Sequence, residues 1–189
     1  MKGAVIREFL LWYEKRYGRA DVDLLVDLVP AHLKPLIDPS RPALGILGAS
    51  WYPMGLTHPM LSYVVERAGN EGRTFALEAN REIVPRMIRG VYRMLFKTAA
   101  TPERYAAHVQ RLWRNLHTTG ERSMVIRTPG EALSAVERWP AHHPLLCWIT
   151  IYTMAIMFET MGYKHWTVER VACVDHGGAR CETVLRYRK

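Results

Sequence analysis

Three cysteines are the residues of this chain best suited to chemistry, and all lie in its last third: Cys147, Cys173 and Cys181. Between the second and third runs Val174-Asp175-His176-Gly177-Gly178-Ala179-Arg180, whose Asp-His-Gly-Gly centre is a strong hairpin signal. If His176-Gly177-Gly178 forms a three-residue loop, Cys173 and Cys181 stand opposite each other on one side of a small sheet. Cys147 falls early in an apolar run from Pro144 to Phe158, and a helix packed on that side of the sheet brings it to the other two. Three thiolates and a fourth donor in tetrahedral geometry make a closed structural zinc site. The spacing is not the Cys-x-x-Cys of a zinc knuckle, and two other readings stand beside this one. The three can be small buried hydrophobes, or Cys173 and Cys181 can form a cross-strand disulfide, which a reducing compartment disfavours.

The frame that must hold these thiols is bounded by composition. At 189 residues, 49% apolar and 23% charged, the chain reads as one compact domain over 1–189, which sets aside disordered, collagenous and coiled-coil classes. An odd cysteine count without a secretory signal at Met1-Lys2-Gly3-Ala4 predicts a reduced, cytoplasmic protein. The run from Pro144 to Phe158 is shorter than the roughly 20 residues a bilayer requires, so it predicts a buried core helix and no membrane span.

Helical periodicity comes first along the chain. Ile6, Phe9, Leu10, Tyr13 and Tyr17 share a face before the stop at Gly18, and a short helix over 21–28 follows. A proline-rich connection over 35–53 leads to a helix from about Thr57 to Gly69 and a long one from Gly72 to about Lys97, kinked at Pro85. Thr101-Pro102-Glu103 opens another, with Tyr105, Val109, Leu112, Trp113 and Leu116 inward. After Gly120 the period drops to two over 123–127, and 131–139 pairs back as a strand or forms a helical turn. The buried helix (143–161) and strands over 165–173 and 179–188 complete an α+β fold. Its helical N-terminal two-thirds pack on an antiparallel sheet of about four strands, with the buried helix crossing between the hairpins.

The net charge of +8 concentrates on two helix faces. Arg86, Arg89, Arg93 and Lys97 lie opposite the apolar stripe of the long helix, and Arg104, Arg111 and Arg114 do so on the next. No nucleic-acid recognition motif accompanies them, so they read as solvated faces or as a docking surface for an acidic protein partner. Nucleophile-elbow, zinc-protease, phosphate-loop and dinucleotide fingerprints are all missing, which argues against catalysis.

Pro144-Leu145-Leu146-Cys147-Trp148, Phe158-Glu159-Thr160-Met161-Gly162, Val168-Glu169-Arg170-Val171-Ala172-Cys173 and His176-Gly177-Gly178-Ala179-Arg180-Cys181 together resemble the 4-vinyl reductase domain. That domain is similar in fold to haem nitric-oxide-binding domains and to vesicle-tethering TRAPP subunits. The N-terminal half, with Met1-Lys2-Gly3 and Trp51-Tyr52-Pro53, resembles an uncharacterised family expanded in myxobacteria. The resemblance implies a homodimeric binder or carrier of a small apolar or aromatic molecule, without an output domain of its own. It implies zinc on Cys147, Cys173 and Cys181, with an acidic fourth ligand just before the second cysteine. Here the nearest acid, Glu169, is displaced by one residue, which turns a strand side chain to the other face. Glu169 reaches the site only through a bulge, and Asp175, His176 or Glu182 are its substitutes. The ligand pocket that the resemblance implies is lined by Trp113, His117, Trp148, Tyr152 and Met157. Haem is disfavoured, because Glu121-Arg122-Ser123-Met124-Val125-Ile126-Arg127 lacks the tyrosine of the Tyr-x-Ser-x-Arg motif, leaving His108 and His117 as axial ligands only in principle.

Overall fold

A computed structural model describes residues 1–90, 93 and 100–189. Two compact units divide the chain, Met1–Phe75 and Ala76–Lys189. In the first, α1 (Gly3–Tyr17) and α2 (Arg19–Asp27) meet at Gly18, whose φ of +88° lets the chain turn between them. After short 3-10 turns over 31–36 and 42–45 comes α3 (His58–Ala68). Phe9, Trp12, Tyr13, Tyr17 and Phe75 pack ring against ring, with Trp12 and Phe75 edge to face at 5.0 Å. Burial there lifts the Tyr13 phenol to about 12.

Helix α4 (Arg73–Arg89) carries Pro85 inside it. Residues 91, 92 and 94–99, which include the far end of the expected long helix and Lys97, lie outside the described residues. The second unit continues with α5 (Pro102–Arg114), capped as expected by the Thr101 hydroxyl accepting from the Arg104 N–H. Strands β1 (Glu121–Thr128) and β2 (Glu131–Glu137) form a hairpin, which settles the ambiguous 131–139 segment in favour of strand. Then come α6 (Pro144–Thr160), β3 (His165–Ala172) and β4 (Cys181–Arg188). The sheet is antiparallel in the order β1-β2-β4-β3, so the fold class is the expected α+β arrangement with a helix crossing between hairpins.

Helix α6 carries a single charged residue, Glu159 near its end, and its burial organises the unit. Met154, Ala155, Ile156, Met157 and Phe158 join Tyr105, Val109 and Leu112 of α5 and Met124, Ala132, Leu185 and Tyr187 of the sheet in one core. Asn80 of α4, itself buried, accepts from the Thr153 hydroxyl at 2.8 Å and ties α4 to α6. The Phe158 ring packs edge-on against Tyr105 and Tyr187. Phe158→Ala therefore costs about 3–5 kcal/mol of stability in urea unfolding.

At the end of α5 the rings of Trp113 and His117 stack at 3.8 Å, and Trp139 meets both edge-on. Burial foremost, with Arg122 adding to it, lowers the His117 imidazole to about 3. The unfolded chain takes a proton on this histidine near its ordinary 6.5, whereas the folded chain does not until about pH 3. The unfolded state thus binds more protons in between, so stability is full above pH 6.5 and falls as pH drops toward 3. The slope is up to about 1.4 kcal/mol per pH unit. Urea unfolding from pH 6.5 to 5 should show a loss approaching about 2 kcal/mol from this residue, and His117→Phe, which keeps the stack, should flatten it.

Candidate metal centre

Each cysteine reaches the centre for a local reason. His143 caps α6 by accepting the Leu145 N–H on Nδ1, and Pro144 takes the first helical position, where no N–H is required. This cap sets Cys147 in the first turns of the helix, on the stripe Cys147, Thr150, Ile151 and Met154 that faces Val136, Cys181 and Thr183 of the sheet. Cys181 opens β4 opposite Val136 of β2.

Cys173 needs a break in its strand. Arg170 pairs with Thr183, but Ala172 pairs with Glu182, so β3 holds one extra residue at Val171. Without this bulge Cys173 would share the face of Glu169. With it, Cys173 comes to stand opposite Cys181, and their sulfurs are 3.9 Å apart. The connection between them carries a 3-10 turn at Val174–His176 and a left-handed Gly177, so it is more elaborate than a three-residue loop. Gly178 lies so close that a Cβ there would sit 2.9 Å from the Cys173 carbonyl oxygen.

The imidazole that comes closest to the three thiols is that of His142. Its Nε2 lies 3.5 Å from the Cys173 sulfur, and the donor atoms of His142, Cys147, Cys173 and Cys181 all fall within 4.8 Å of one another. The three cysteines are free thiols, all buried. This set can hold a metal ion. The Cys147 thiol donates to Cys181, and that bond above all lowers Cys181 to about 4, against the opposing effect of burial. The same hydrogen bond and burial push Cys147 up, and burial pushes Cys173 up. Arg170 is the nearby cation that favours ionisation of Cys147 and Cys173; its guanidinium lies 4.5 Å from the centre of the Trp148 ring and meets His176 at 3.0 Å.

Glu169 does not join this group. It is paired with Val184 on the opposite face of the sheet, exposed, and bound to Arg186 at 2.9 Å. The bulge lies after Glu169, so it re-aims Cys173 and leaves the glutamate where strand alternation puts it. Asp175, His176 and Glu182 also lie outside the donor group. The signal for His142 was the pair His142-His143 before Pro144: once His143 caps the helix, its neighbour sits beside the first turn and next to Cys147.

The five residues expected around a ligand fall into separate groups. Trp113 and His117 stack on each other, Trp148 and Tyr152 stack at 5.9 Å, and Met157 is buried in the core with Phe158. Of the basic stripe, Arg86 is half-buried, Arg89 and Arg93 are exposed, and Lys97 is not among the described residues. No helix of the described residues is long and apolar enough to cross a membrane.

No family model matches the chain, and no curated protein matches it in sequence. Solved structures do match in shape. An H-NOX protein from S. oneidensis in the Fe(II)NO ligation state superposes with a TM-score of 0.73 at 10% identity, covering 100% of both chains. The Fe(II) unliganded H-NOX protein from K. algicida gives 0.73 at 12% identity, over 100% of this chain and 97% of that one. The expected kinship of fold with haem nitric-oxide-binding domains is thereby met, while the 4-vinyl reductase and myxobacterial resemblances rest on the sequence alone. At these identities the likeness is one of architecture: the chain has the H-NOX fold.

Proposed function

We propose that the chain is a non-catalytic small-molecule-binding domain, a sensor or carrier, in which a structural zinc on His142, Cys147, Cys173 and Cys181 staples the last hairpin to α6. The observation that carries the zinc is the spacing of the donors. A tetrahedral ion with bonds of about 2.3 Å to sulfur and 2.0 Å to nitrogen needs sulfur–sulfur edges of about 3.8 Å and sulfur–nitrogen edges of about 3.5 Å. The Cys173–Cys181 and Cys173–His142 separations are 3.9 and 3.5 Å. Four protein donors with no open position make a centre that holds structure rather than activates water. Zinc would supply folding energy there and keep all three sulfurs as thiolates. Three thiolates stay available only in a reducing compartment, which accords with a cytoplasmic protein.

The sensing role is supported by the H-NOX fold of the solved neighbours and by the 4-vinyl reductase resemblance. Haem is not part of this reading. His117 has its ring face covered by Trp113, and the helix-facing side of β1 carries Arg122, Met124 and Ile126, none a tyrosine or serine that would complete a propionate-binding motif. We assign the ligand, a small apolar or aromatic molecule, to the Trp148–Tyr152 pair, which Arg170 and Trp166 flank, with Met157 on the same helix. Trp113 and His117 contribute less, because they occupy each other. The same reading takes 1–189 as one domain that acts as a homodimer and signals by protein contact. Arg86, Arg89, Arg93 and Lys97 are the proposed surface for an acidic partner.

Elemental analysis of protein purified without added metal should find one zinc per chain. His142→Ala and Cys181→Ser should each lose it and unfold at lower temperature, whereas Glu169→Gln should keep it; a metal-free, fully folded wild type would refute the centre. Native mass spectrometry of recombinant protein should reveal a retained small molecule or a response to added aromatic compounds, with no Soret absorbance. Trp148→Ala should abolish that retention, and a preparation that neither retains nor responds to such compounds would remove the ligand half of the proposal.

A further inference from the structure

Three of the four donors proposed for zinc are held by a strand, a helix or the β3 bulge, whereas His142 stands half-buried in the loop between β2 and α6, outside both elements. Its neighbour His143 is committed to capping α6. An imidazole in such a loop can turn about its side-chain bonds, and fixing it on an ion costs that freedom. The restraint comes from the start of the same loop. The His142 backbone N–H donates to the Trp139 carbonyl at 3.1 Å, closing a tight turn with Pro140 at its first corner. The two ring-bearing residues therefore stand at the two ends of one turn, and their rings meet edge to face, 5.3 Å apart at 89°.

Trp139 is itself fixed from several sides, and it is only 5% exposed. Arg138, directly before it, has a φ of +48°, a conformation that residues other than glycine rarely take. Strain of this kind persists where the surroundings over-determine it, and it clusters at functional sites. Behind the indole, Trp113 meets it edge-on at 5.0 Å and His117 at 5.9 Å. Trp113 is pinned in turn by its indole N–H, which donates to the Thr119 carbonyl at 2.9 Å. Gly120 closes the wall, since a Cβ there would lie 3.2 Å from the Trp139 ring. The Trp139 N–H finds no acceptor among the described residues, so the residue contributes its ring and not a polar bond.

We propose that Trp139 is the positioning residue of the metal centre. Its ring sets the plane of the His142 imidazole so that Nε2 faces the three sulfurs, and Trp113, His117 and Gly120 hold that ring in place. The proposal rests on the zinc reading above and extends it to a residue that does not itself ligate the ion.

The test uses the full chain, competing a chelator against the zinc-loaded protein and, in parallel, expressing the protein with cobalt(II), whose visible bands report the donor set. Trp139→Leu should bind zinc about 10- to 100-fold more weakly. Its cobalt bands should move from those of three sulfurs and one nitrogen toward those of three sulfurs and water. Trp139→Phe, which keeps an aromatic edge beside His142, should stay close to wild type in both readouts. Should Trp139→Leu not fold, Gly120→Ala, which presses a methyl against the indole, takes its place and should weaken zinc severalfold. Unchanged zinc affinity and cobalt bands in Trp139→Leu, or in Gly120→Ala where that variant stands in, would overturn the proposal. A loss in Trp139→Phe as large as in Trp139→Leu would do the same. So would lowered thermal stability with an unaltered cobalt spectrum, the mark of a ring that only fills space. A wild type that takes up no metal would instead remove the centre and this proposal together.

Discussion

Side chains alternate from one face of a strand to the other, and the thiol centre depends on where that alternation breaks. Three of its four donors come from positions set by regular structure or its caps: Cys181 at the head of β4, Cys147 in the first turns of α6, and His142 just before the His143 cap. Cys173 reaches the same side only because Val171 is an extra residue in β3. The bulge leaves Val171 itself largely exposed, so a hydrophobic side chain is given to solvent while a thiol is turned inward. The tight approach of Gly178 to the Cys173 backbone then holds the loop in place.

Around that centre the charges are apportioned. The outer face of the sheet is laced with ion pairs, Arg186 to Glu131 and Glu169, and Arg180 to Glu137 and Glu182, and their exposure makes each worth little to stability. On the helix side the two arginines, Arg122 and Arg170, have no carboxylate on the adjoining strand faces. An inner face with cations and thiols but no acids favours anionic sulfur, and it fits a metal–thiolate centre better than a carboxylate-ligated one. In that setting Glu169 as a ligand would have stripped Arg186 of a partner and placed a carboxylate on the face that β3 reserves for Arg170 and Val168.

Most of the architecture was legible from periodicity and punctuation. Thr101-Pro102-Glu103 marks a helix start, Gly18 and Gly162 mark stops, and the Asp-His-Gly-Gly run marks the last hairpin. The second strand was ambiguous because Ala132, Leu133, Ala135 and Val136 suit either period; its pairing on both sides, with β1 and β4, decides the matter through contacts distant in sequence. That His142 rather than Glu169 lies beside the thiols was not legible, because a one-residue bulge leaves no mark in composition and His142 meets Cys173 across 31 positions of chain. The residues expected around a ligand were legible as aromatic and sulfur-rich, but not as separate groups: whether a ring faces a cavity or another ring is fixed by packing in three dimensions, as the Trp113–His117 stack illustrates.

The account stands or falls on what His142, Cys147, Cys173 and Cys181 hold. X-ray absorption at the zinc edge, on protein purified without added metal, reads the donor set directly. Three sulfurs at about 2.3 Å and one imidazole nitrogen at about 2.0 Å are the predicted shell. A shell of oxygen and nitrogen alone, or three sulfurs joined by a carboxylate, would contradict it.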